Sequence, residues 1–275
     1  MERERAEPSG LVGGGGLAGS GRRGSRAAWS DAGLHVLLAG GYFSCFALLG
    51  GRSLWLLVAS VGFLAAALAV RRGRFEVLRA AVAAAVATPS EIAVTSHGAY
   101  TYAAPQLGSV PLWLPVGWAF FSLVTFRIAD GLAAGWGLPA PRERSRGLKA
   151  AFELAVIPAV MGCAVLFWAD PVVSTAGLAV TLGLFAALYP GRYTLLVMAL
   201  SLLFAVPLEL CGVAGGEWRW RAPDLAGVPV WVPLGYAFLT LAHHRVALLV
   251  APTLSLDAAW ARAPDSGLDG PPRTE

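Results

Sequence analysis

One stretch of this chain occurs twice, 118 positions apart and without a gap. The first copy runs from Pro89 and Glu91 through Gly98, Tyr100 and Tyr102 to Val110-Pro111-Leu112-Trp113-Leu114-Pro115 and Arg127. The second runs from Pro207 and Glu209 through Gly216, Trp218 and Trp220 to Val228-Pro229-Val230-Trp231-Val232-Pro233 and Arg245. Fifteen of the thirty-nine aligned positions are identical, and Tyr100/Trp218, Tyr102/Trp220 and Trp118/Tyr236 exchange one aromatic ring for another. The same offset pairs Cys45 with Cys163, Gly73 with Gly191 and Arg74 with Arg192. An ungapped match of this length marks a duplication, so the fold must accommodate one unit twice.

The unit is built for lipid. Only 14% of the 275 residues are charged and 56% are hydrophobic, whereas a soluble domain carries about 25% charged residues. Long charge-free apolar stretches indicate a polytopic membrane protein. Short alternating segments, as a closed barrel needs, are absent. The expected fold class is therefore all-α, because a lipid-embedded helix satisfies its own backbone groups.

Eight apolar segments are expected as helices, at about 32–49, 53–70, 75–95 and 110–130, then 149–168, 172–188, 193–213 and 228–250. They divide the chain into a disordered cytoplasmic tail (1–31), a first four-helix repeat (32–130), a cytoplasmic linker (131–148), a second repeat (149–250) and a second cytoplasmic tail (251–275). With the N-terminus inside and all eight segments crossing, eighteen of the twenty-one Lys and Arg fall on the inner side. Only Arg52, Arg219 and Arg221 lie outside, a strong positive-inside bias. An even number of crossings per repeat gives two repeats inserted the same way up. Both loop motifs then share the outer face of the inner cell membrane. The net charge of +4 thus reads as topology rather than as a nucleic-acid surface.

Two carboxylates stand out as catalytic candidates. Glu91 and Glu209 each sit about four residues from the outer end of a helix, roughly 6 Å deep at 1.5 Å per residue. A carboxylate there is costly unless it is paired, hydrated or functional. The competing reading is a carboxylate that snorkels or caps the local fold. Pro89 and Pro207 each remove a backbone donor two residues earlier, which can bend the helix and aim the carboxylate inward.

The ligand-binding candidates are Tyr100, Tyr102, Trp113, Trp218, Arg219, Trp220, Arg221 and Trp231. Tyr100-Thr101-Tyr102 and Trp218-Arg219-Trp220-Arg221 alternate aromatic with polar, which predicts extended segments with one aromatic face. Such segments can cover the mouth of the helices, or form an aromatic belt at headgroup level. Arg219 and Arg221 have no counterparts in the first copy and are expected to pair with Asp224 or Glu217 or to meet a lipid phosphate. Trp113, Trp231, Trp118 and Tyr236 either line a cavity below or simply pack. Arg127 and Arg245 are expected to snorkel at the inner ends. His243 and His244 point about 100° apart on a helix and make a poor chelate. Cys45, Cys163 and Cys211 read as small buried apolar residues, His35 as a packed one and His97 as a solvated one. No cofactor motif, no metal-ligand spacing and no nucleophile elbow is present.

The pattern Gly-x-aromatic-x-aromatic, then Leu-Gly, then Val-Pro-Leu before an apolar helix resembles a signature in membrane proteins of carotenoid biosynthesis. These are the bacterioruberin-type carotenoid hydratases and the heterodimer-type lycopene cyclases. The resemblance rests on Gly98, Tyr100, Tyr102, Leu107, Gly108, Val110, Pro111 and Leu112, and more loosely on Gly216, Trp218, Trp220, Val228 and Pro229. The cyclases place acidic residues just after the proline of this junction. Here Leu112-Trp113 and Val230-Trp231 stand there, leaving Glu91 and Glu209 as the acidic pair.

Three functions follow as expectations. The first is an enzyme or binding protein for a long isoprenoid, with a protonated Glu91 or Glu209 as general acid at a double bond. Rings from Tyr100, Tyr102, Trp218 and Trp220 would then face the developing carbocation. The second is a non-enzymatic lipid carrier or small transporter, and the third a structural membrane protein. The expected partner is a membrane lipid or isoprenoid; no protein partner is identified.

Overall fold

The structure is a computed structural model and describes residues 18–70, 73–138 and 147–251. The expectations for 1–17, Arg71-Arg72, 139–146 and 252–275 lie outside these residues. The chain forms α1 (Ala18–Leu49), α2 (Ser53–Val70), α3 (Arg74–Ser96), β1 (Tyr100–Tyr102) and α4 (Trp113–Gly135). It then forms α5 (Leu148–Phe167), α6 (Pro171–Leu188), α7 (Arg192–Ala214), β2 (Trp218–Trp220) and α8 (Val232–Val250). Among the described residues, seven of the eight helices, α1 to α7, are long and apolar enough to cross a membrane. The eighth, α8, carries His243, His244 and Arg245, which lower its hydropathy, and buries all three inside the bundle.

The 118-residue offset reappears in the element boundaries. α2 and α6, α3 and α7, and β1 and β2 begin and end at matching positions, and α1 and α5 end at matching positions. α1 begins at Ala18, well before its apolar run, so the helix outlasts the hydrophobic pattern there. α4 begins at Trp113 rather than at Pro111, because Leu107 and Val110 close a tight bridge just upstream; Leu225 and Val228 do the same before α8. That turn has Gly108 at φ 62° in the first half, while in the second Ala226 takes φ 50°. Asp170 caps α6 by accepting from the backbone N–H groups of Val172 and Val173, with Pro171 at the first helical position.

α3, α4, α7 and α8 form the centre. α3 packs against α4 and α8, and α7 against α8 and α4. α1 and α2 flank α4, while α5 and α6 flank α8. β1 and β2 pair antiparallel in the register Tyr100↔Trp220, Thr101↔Arg219 and Tyr102↔Trp218. Ala103 N–H to Glu217 O and Arg221 N–H to Ala99 O extend the ladder at both ends. Every pair in it maps onto another pair of the ladder when the halves are exchanged, so the register is symmetric under the 118-residue offset. Both loops therefore lie at one end of the bundle.

The opposite end is tied by buried charge. Arg127 reaches Glu76 at 3.4 Å, Arg79 reaches Asp130 at 4.0 Å and Arg245 reaches Glu153 at 2.6 Å. Arg127 is 2% and Arg245 5% exposed. The expected snorkelling is thus replaced by buried ion pairs, since α3 and α5 bring an acid to each guanidinium. His35 is packed, as expected. Cys163, expected to be buried, is exposed on α5, with Cys45 and Cys211 half-buried.

Candidate ligand site under the two-stranded ribbon

The alternation in each loop becomes a two-faced ribbon. Thr101 and Arg219 face out, while Tyr100, Trp218 and Trp220 are buried on the inner face with Tyr102 half-buried beside them. Tyr100 lies on Trp220 with ring centroids 4.2 Å apart, and Tyr102 meets Trp113 edge-on at 5.8 Å. The ribbon thus roofs the bundle with rings.

Beneath it is a cavity of about 110 Å³. On this measure one water takes roughly 10–15 Å³, so the space suits a stretch of ligand rather than a single solvent molecule. Both carboxylates line it, as do Tyr100, Tyr102, Trp113, Trp118, Trp218, Trp220, Trp231 and Tyr236. Among the described residues no Lys, Arg or His contributes to the lining.

The carboxylates differ. Glu209 is buried and accepts from three rings: Trp218 Nε1 at 2.9 Å and Trp220 Nε1 at 3.0 Å on Oε2, and Tyr236 Oη at 2.9 Å on Oε1. Glu91 is half-buried and held by two longer contacts, Trp118 Nε1 at 3.2 Å and Tyr102 Oη at 3.4 Å. A carboxylate accepts about four hydrogen bonds, so Glu91 keeps more capacity facing the cavity. Burial first, and then the neighbouring Glu91 carboxylate, push the Tyr102 phenol well above its ordinary value, which keeps it a donor.

Of the ligand-binding candidates, Arg219 and Arg221 stand apart. Both are exposed outside the cavity, and neither makes an ion pair among the described residues. Arg221 instead lies 5.9 Å from the Trp168 ring beyond the end of α5. Glu217, considered only as their partner, is fully buried and does something else. Its Oε1 accepts from Trp113 Nε1 at 2.8 Å and its Oε2 from the Gly51 N–H at 2.8 Å, tying the second loop to α4 and to the α1–α2 turn. Asp224 accepts from the Val230 N–H. Trp231, the counterpart of Trp113, has no hydrogen-bond partner for its Nε1 among the described residues, because Ala99 stands where Glu217 does.

Tyr42, Phe46, Val160, Ala164 and Leu178 also line the cavity. Nothing in their residue types marks them, and they lie outside the strongly matched segments. The aligned pairs Tyr42/Val160 and Phe46/Ala164, a large ring against a small side chain, were the available signal. Among the described residues no group of three or more His, Cys, Asp and Glu is placed to hold a metal. No family model, no curated protein and no solved structure matches the chain.

Proposed function

We propose that this chain is an integral protein of the inner cell membrane that binds a long unsaturated isoprenoid-type chain under the ribbon, and that Glu91 exchanges a proton with it. The observation that carries the reading is a pair of carboxylates in a cavity walled by aromatic and aliphatic side chains, with no basic group among the described residues that line it. Such walls favour a hydrocarbon, and aromatic faces favour a positive charge developing on it. The helices form two four-helix halves inserted the same way up, eight crossings in all, with both termini cytoplasmic. The distribution of Lys and Arg supports this orientation.

In the chemical form of the proposal, the Glu91 carboxyl gives its proton to one alkene carbon. The π electrons form the new C–H bond and leave a cation on the neighbouring carbon, facing the rings. The cation is discharged by water, whose second proton returns to Glu91, or by loss of an adjacent proton to Glu91. Glu209, held by three donors, stays fixed across the cavity and holds the roof in place.

The test is an untargeted comparison of polyisoprenoids from cells expressing the native chain, Glu91→Gln or Glu209→Gln. The expected result is a product made by the native chain and absent with Glu91→Gln at equal protein abundance. Identical profiles overturn the proton-transfer step. A second reading, a carrier for an apolar amine, is favoured by the same rings and carboxylates, which resemble a cage for an organic cation. Transport of a labelled quaternary ammonium into vesicles, without chemical change, distinguishes it.

A further inference from the structure

The two halves differ most beside the cavity. In the first half Tyr42 and Phe46 on α1 are each 1% exposed and fill the space next to α4. Tyr42 Oη bonds Ser60 Oγ of α2 at 3.0 Å. A Cβ on Gly117 would meet Tyr42 Oη at 2.7 Å, so the ring is packed onto the α4 backbone. The equivalents of Tyr42, Phe46, Ser60 and Gly117 are Val160, Ala164, Leu178 and Gly235. Neither Val160 nor Ala164 is long enough to reproduce that packing. A Cβ on Gly235 would meet nothing within 4 Å. All four line the cavity.

The helix over this space is loosely held. Glu153, at the opposite end from the ribbon, is the single fully buried side chain among the α5 residues whose burial is described. Near the ribbon, Trp168 meets Arg221. Between these points Val160, Met161 and Ala164 are half-buried against the cavity, while Cys163 and Leu166 are exposed on the outside of the bundle. α1, by contrast, buries Ala32, His35, Ala39, Tyr42 and Phe46.

We infer that the ligand enters the cavity only on the side of α5, α6 and α8. The chain passes from the lipid under the middle of α5 and lies against Val160, Ala164, Leu178 and Gly235, where the first half is plugged by Tyr42 and Phe46. The nature of the ligand rests on the isoprenoid reading above; its position rests on the difference between the halves. The Tyr42–Ser60 plug makes the duplicated fold a one-site protein, and the bulk of residues 160 and 164 sets the width of chain admitted.

The test uses the full chain in nanodiscs, loaded with deuterated squalene and repurified, with the retained probe counted by mass spectrometry. The native chain should hold about one equivalent. Val160→Tyr/Ala164→Phe, which copies the plug, should lower retention about tenfold or more, because a packed site rejects added bulk strongly. Gly235→Leu fills the same space from α8 and carries the test if the double variant fails to fold. Undiminished retention by folded variants overturns the placement and leaves the isoprenoid reading intact. No retention by the native chain overturns both.

Discussion

Trp118 stacks on Tyr236 with ring centroids 4.9 Å apart and planes 26° from parallel, and each ring donates to the carboxylate of its own half. A chain of contacts thus runs from Glu91 through Trp118 and Tyr236 to Glu209. Tyr236→Phe keeps the stack and removes one donor to a buried carboxylate. Its expected effect is a loss of about 1–3 kcal/mol, the usual range for leaving a buried polar group short of a partner. Trp118→Phe should cost less, since Glu91 is half-buried and its bond longer. Reversible unfolding in mixed micelles gives the order; the reverse order contradicts the assigned roles of the two carboxylates.

Glu217 makes the second loop sensitive to pH. Burial pushes its carboxyl up, against the bonds from Trp113 and Gly51 that favour the ionised form. The folded state therefore holds this proton more tightly than the unfolded chain. Its stability contribution is complete below the unfolded carboxyl value, about pH 4, and is lost as pH rises through the elevated folded value. Glu217→Gln should remove that part of the dependence. Thermal unfolding of both proteins over the acid-to-neutral range checks it, and parallel curves count against the assignment.

Glu153 anchors the end of α5 opposite the ribbon. Arg245 Nε and the Tyr189 hydroxyl both bond its Oε1. Glu153→Ala leaves a buried guanidinium without this acid, and such a deletion costs about 3–5 kcal/mol. α5 should loosen selectively, so hydrogen exchange should rise along α5 more than along α1. Equal protection in both helices contradicts the picture of α5 as a helix pinned near its ends.

Ala226 occupies φ 50°, where its counterpart is Gly108. The left-handed region costs a non-glycine residue roughly 1–2 kcal/mol, partly offset by the entropy glycine loses on folding. Ala226→Gly should therefore stabilise the chain by up to about 1 kcal/mol. A lower melting temperature for the variant would mean that the turn is not strained.

The duplication made much of this legible. The offset foretold the matched helices, and period-two alternation foretold an aromatic face on each loop. It could not show that the two loops pair with each other, because pairing joins residues more than a hundred positions apart that meet only in three dimensions. Comparing the halves also hid what is not duplicated. Glu217 aligns with Ala99, Glu153 with His35 and Glu76 with Thr194. The acids that hold Trp113, Arg245 and Arg127 therefore looked incidental, and the two arginines looked like snorkelling ends. Val160 and Ala164 line the cavity with less bulk than the aligned Tyr42 and Phe46, and missing volume leaves no motif.

The most direct measurement is mass spectrometry of whatever stays bound to the intact protein through purification, set beside Glu91→Gln and Val160→Tyr/Ala164→Phe. The account predicts one defined isoprenoid on the native chain, an altered chemical form of it on Glu91→Gln, and little on the filled variant. Bulk membrane lipid alone, identical in all three, would contradict a ligand site under the ribbon.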